Sequence, residues 1–81
     1  MSEPTNKDRA RWAKKALAAF TKQTFGCHPD KMHPDDLECA ISDLICDLLH
    51  FTHQHGFDPK GRLNAAEMHF EAEIFEEGIQ P

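Results

Sequence analysis

No stretch of this 81-residue chain approaches the ~20 apolar residues that a membrane-spanning helix needs. Cysteine is scarce and odd in number. Cys27, Cys39 and Cys46 occur without a secretory leader, which argues against a secreted disulfide framework and for a reduced, cytoplasmic setting. Cys39 and Cys46 stand two helical turns apart on one predicted helix, so their Cα atoms are separated by roughly 10 Å and cannot be bridged. Internal repeats, low-complexity tracts and strand-like alternation are missing as well. No H-E-x-x-H and no paired E-x-x-H occurs, so the common helical metal-site signatures are absent.

What is present is short and charged. A chain of this length forms one domain and buries a thin core, which at this size rarely supplies more than roughly 3–5 kcal/mol. Small domains compensate with a metal or with oligomerisation. The net charge of −5 hides a division: residues 1–25 carry +4 and residues 26–81 carry −9. The basic start is expected to pack beside the acidic remainder and partly neutralise it. Six histidines would take the formal charge from −5 to +1 if all were protonated, so association that depends on acidity should weaken as the protein is acidified.

Helical periodicity organises the chain into an all-α, small three-helix bundle built on a C-terminal αα-hairpin, with helices over about 6–24, 35–55 and 59–77. Thr5 and Asp8 fit a capping box ahead of the first helix, and Gly26 stands where a left-handed C-cap residue belongs. Ala13, Ala16, Leu17, Phe20 and Thr24 form a narrow apolar stripe, with Trp12 at its edge. The loop from Cys27 holds two prolines, and Pro34 can open the second helix. In that helix Leu37, Ile41, Leu44, Ile45, Leu48, Leu49 and Thr52 share one side, the strongest core pattern in the chain. Gly56 ends it, and Phe57 can fold back over the turn. Asp58-Pro59 reads as N-cap plus first helical residue, with Asn64 and Glu67 as a competing start.

The third helix has two apolar faces. Leu63, Ala66, Phe70 and Ile74 make one, expected against the second helix. Met68, Ala72, Phe75 and Ile79 make another, expected to be covered by the first helix or by a second copy of the chain.

Several clusters could carry chemistry. Asp43, Asp47 and His50 fall on the side of the second helix opposite its leucines. With His69 and Glu73 from the third helix they would supply carboxylate and imidazole ligands for a divalent ion such as Zn or Mn. The competing reading is a solvated polar face. Cys27, His28 and His33 match no zinc spacing and read as a polar loop. Cys46 and His50 are one turn apart, but Asp43 and Asp47 make the neighbourhood negative and oppose a thiolate. The basic residues of the first helix are spread around it, with no recognition-helix pattern and no aromatic stacking platform, which argues against nucleic-acid binding. The acids of the third helix are scattered rather than rowed, which argues against nucleic-acid mimicry.

The run D-L-I-C-D-L-L-H-F-T-H-Q-H-G-F-D (Asp43 to Asp58), followed by A-E-M-H-F-E-A-E (Ala66 to Glu73), resembles small uncharacterised α-helical proteins of proteobacterial genomes and prophages. The likeness covers about the last half of the chain. It implies a cytoplasmic accessory gene product of a bacterium or mobile element, and it implies no activity. Taken together, the expectation is a protein-interaction module that regulates or inhibits a partner, not an enzyme. Its contact surface would be Met68, Ala72, Phe75 and Ile79, with acidic support from Asp43 and Asp47. A metal-binding hairpin is the alternative.

Overall fold

A computed structural model describes residues 3–78. They form helix α1 (Asn6–Thr24), a 3₁₀ turn (Pro29–Lys31), helix α2 (Pro34–Gln54) and helix α3 (Pro59–Gly78). No strand occurs among the described residues. Each helix boundary lies within a residue of the span expected from periodicity and capping.

The ends are fixed by local chemistry. At the start of α1 the Asp8 N–H donates to Thr5 Oγ1 at 3.1 Å, and the Thr5 N–H donates to Asp8 Oδ2 at 3.0 Å, the reciprocal pairing of a capping box. Two H-P-D tripeptides close the α1–α2 connection. The Nδ1 atoms of His28 and His33 accept from the N–H groups of Asp30 and Asp35, each at 3.1 Å. Each histidine thereby acts as the N-cap of the turn or helix behind its proline. Gly56 stands at φ 77° with open space around it, so the hairpin turn relies on a backbone conformation that L side chains disfavour. The Phe57 N–H donates back to the Thr52 carbonyl at 3.1 Å, and the Phe57 ring stacks on His55. α3 starts at Pro59, not at the competing Asn64 site, and the Arg62 N–H donates to the Asp58 carbonyl at 3.1 Å. The absence of a Cβ at Gly61 leaves room for the Asp58 carboxylate, whose Oδ2 would otherwise approach it at 2.9 Å.

The three helices pack as a small bundle with an uneven plan. α2 and α3 form the hairpin, and α1 lies across its open end. The first turn of α1 meets the last turns of α3. The Asn6 N–H donates to Glu77 Oε2, the Asn6 side chain donates to the Glu73 carbonyl at 3.0 Å, and Arg9 Nε pairs with Glu73 Oε2 at 3.1 Å. The middle of α1 is held at the loop that opens α2, where Lys14 pairs with Asp30 at 2.8 Å. This realises the expected contact between the basic helix and the acidic hairpin. It also leaves the second apolar face of α3 uncovered, contrary to the expectation that α1 would lie on it. Met68 and Phe75 remain in water, because α1 reaches α3 through polar groups at its end.

Little is buried. Among the described residues the core consists of Leu17 and Ala40, with Thr21 and Pro29 beside them. The buried line of α1 runs through Leu17 and Thr21, while Ala13, Ala16 and Thr24 are exposed. Thr21 can be enclosed because its hydroxyl donates to the Ala18 carbonyl within the helix. The accessible surface is 6872 Å², against about 4,900 Å² expected for a folded monomer of this mass. The radius of gyration is 14.6 Å, against about 11.7 Å for a compact chain of this length.

Two outcomes follow from the termini. Gly56→Ala should lower stability by about 1 kcal/mol in denaturant unfolding, because the added methyl meets no clash but forces a non-glycine residue to positive φ. The hydrogen bond from the Thr5 backbone, helped by Arg11, holds the Asp8 carboxyl below its ordinary 3.8. A folded pKa below the unfolded one gives stability that is full above 3.8 and lost as pH falls through the lower value. The melting-temperature difference between the native chain and Asp8→Ala should therefore be largest near neutrality and shrink as the protein is acidified below the ordinary carboxylate range.

Candidate interaction surface

The hairpin leaves an open apolar trough between its helices. Ile45, Leu48, Leu49 and Thr52 of α2 form one wall, and Leu63, Ala66 and Phe70 of α3 form the other. Its volume is about 390 Å³. Arg62 and Glu67 are its only charged lining residues. The side chains that periodicity assigns to the core therefore line a surface instead. Leu48 is 55% exposed and Phe70 63%. Ile41 and Ile74 extend the same walls by one turn and are also exposed.

The geometry of α2 explains the opening. At 100° per residue its apolar positions run from Ala40 round to Leu49, an arc of about 180°. α1 takes the edge that holds Ala40, and α3 approaches the edge that holds Leu49 and Thr52. Leu48 and Ile41 lie between these neighbours and Ile45 lies beside Thr52, and among the described residues all three stay exposed. Sequence reasoning gave these residues to the core because an apolar arc shows that burial is required without showing what provides it.

The same geometry separates the expected ligand set. α3 meets α2 at Leu49 and Thr52, and Asp43, Asp47 and His50 stand about 130–170° round α2 from that edge. His69 and Glu73 on α3 cannot complete a site with side chains on the far side of α2. Glu73 is engaged elsewhere, in the ion pair with Arg9. Among the described residues no three His, Cys, Asp or Glu side chains gather into a group that could hold a metal ion. His28 and His33 serve as caps, and Cys27, Cys39 and Cys46 are free thiols.

The residues expected to form the contact surface divide between two places. Met68, Ala72 and Phe75 share one exposed face of α3, directed about 150–170° from the trough. Met68 is 70% and Phe75 67% exposed. Ile79 lies outside the described residues. Asp43 and Asp47 are exposed but stand on the outer side of α2, so they do not border the Met68–Phe75 face. The hairpin thus presents apolar surface on two sides, and the expected surface accounts for one of them.

A third exposed group sits at the turn, where Phe51 and His55 have ring centroids 4.2 Å apart and Phe57 continues the stack at 6.1 Å. No helix among the described residues is long and apolar enough to cross a membrane.

Zinc or manganese at saturating concentration should leave the melting temperature unmoved. A rise that His50→Ala or His69→Ala abolishes would instead require α2 to rotate its acidic side toward α3. No family model, curated protein or solved structure matches this chain.

Proposed function

We propose that this chain is a protein-interaction module, a small cytoplasmic regulator or inhibitor of a partner protein, whose output is binding rather than chemistry. The observation that carries the reading is the apolar surface left open on two sides of the hairpin. Soluble monomers rarely expose contiguous apolar patches beyond a few hundred Å², and larger ones mark interaction sites. Exposed large side chains such as Phe70, Met68 and Phe75 are of the kind that anchors interface hot spots. The three free thiols accord with a reducing compartment, and the likeness of the Asp43–Glu73 region suggests an accessory product of a bacterium or mobile element.

The Met68–Ala72–Phe75 face is assigned to the regulated partner. It stands apart from the trough, so both surfaces can be occupied together. The tagged protein should retain one stoichiometric protein from a nuclease-treated proteobacterial lysate. Phe75→Ala should reduce that capture at least about tenfold, the loss expected for a hot-spot aromatic, with helicity unchanged by circular dichroism. Equal capture by the native chain and the variant would reject this face.

A further inference from the structure

The trough between α2 and α3 has an occupant whose chemistry can be read from its walls, and here the argument rests on the interaction-module reading above. We infer that it is filled by a second copy of this chain, with α3 of each copy seated in the α2/α3 trough of the other. The product is a two-fold symmetric four-helix bundle made from two hairpins, with α1 of each copy lying across an end.

Area is the first argument. The chain exposes about 1,900 Å² more than a compact monomer of its mass. Half of that excess already exceeds the ~800 Å² that each partner contributes to a standard stable interface. Among the described residues only Leu17, Thr21, Pro29 and Ala40 are buried, so further burial has to come from outside. A peptide helix resting on one wall would leave much of the α2 arc wet. A hairpin, by contrast, gives every trough helix two neighbours, as a four-helix bundle does.

Charge is the second. The trough's charged residues, Arg62 and Glu67, are opposite in sign and five residues apart on α3. Among the described residues neither takes part in an ion pair. In a two-fold interface residue i meets residue j and j meets i. Antiparallel α3 helices centred between positions 64 and 65 bring Arg62 onto Glu67 of the second copy, and Glu67 onto Arg62, so the ion pair forms twice. The same register sets Leu63 opposite Ala66, a large residue over a small one, which lets the helices approach closely. It also carries Phe70 toward the other copy's turn, where Phe57 is exposed. The acids that make the rest of the hairpin negative, Asp43 and Asp47, stay on the outside. Met68, Ala72 and Phe75 stay outside as well, free for a different partner.

The test uses reversal of the two charges, which are exposed and tolerate substitution without loss of the fold. The native chain, Arg62→Glu and Glu67→Arg are compared by sedimentation equilibrium, each alone and the two variants mixed, with helicity followed throughout. The native chain should be a dimer. Each variant alone places like charges together twice and should raise the dimer dissociation constant at least about tenfold. The equimolar mixture places Glu on Arg at both positions and should recover affinity to within about threefold of native. Recovery on mixing cannot arise if the single variants have merely misfolded. A native chain that stays monomeric and fully helical up to about 100 µM overturns the second copy as occupant. It leaves the interaction-module reading to the Phe75-dependent capture. A dimer whose affinity is the same in both variants and their mixture overturns the trough as its seat.

Discussion

An apolar arc covering half the circumference of α2 is the constraint around which the remainder of this molecule is arranged. One antiparallel neighbour covers roughly a third of a helix. α3 therefore takes one edge, at Leu49 and Thr52, and α1 takes the other, at Ala40. The centre, at Leu48 and Ile41, stays exposed. Shortening the arc would make a more self-sufficient monomer. Keeping it leaves few buried side chains among the described residues to set against the entropy of ordering three helices.

α1 illustrates how such a chain distributes its attachments. Its docking joins a small buried point, Leu17 and Thr21, to polar contacts at the tip of α3. The Arg9–Glu73 pair is about a third exposed on both sides, and pairs of this kind are worth at most about 1 kcal/mol. The strength of the attachment lies in the combination with Asn6, whose backbone and side chain both reach α3. Opposite formal charge in the two parts of the sequence is thereby turned into specific contacts at the tip of α3 and at the loop before α2.

The helices and their ends were legible in the sequence because their causes are local. Thr5 with Asp8, Pro34, Gly56 and Asp58-Pro59 act within one turn of where they stand. The assignment of Ile45, Leu48 and Phe70 to the interior was not legible as a surface, since burial depends on how many neighbours arrive. The proposed ligands were misleading for a related reason. Asp43, Asp47 and His50 do share one side of α2, as spacing requires. Yet that side is turned away from the Leu49–Thr52 edge where α3 packs, and among the described residues no three such side chains gather. The capping role of His28 and His33 was missed because imidazole is an uncommon N-cap. The repeated H-P-D, with proline fixing the first helical residue, was the available sign.

That repeated tripeptide sets the course of the connection between α1 and α2 twice over. Each histidine accepts at Nδ1 from the N–H two residues ahead, and the proline between them has its φ locked. The same three-residue device therefore turns the chain into the 3₁₀ turn and again, five residues later, into α2.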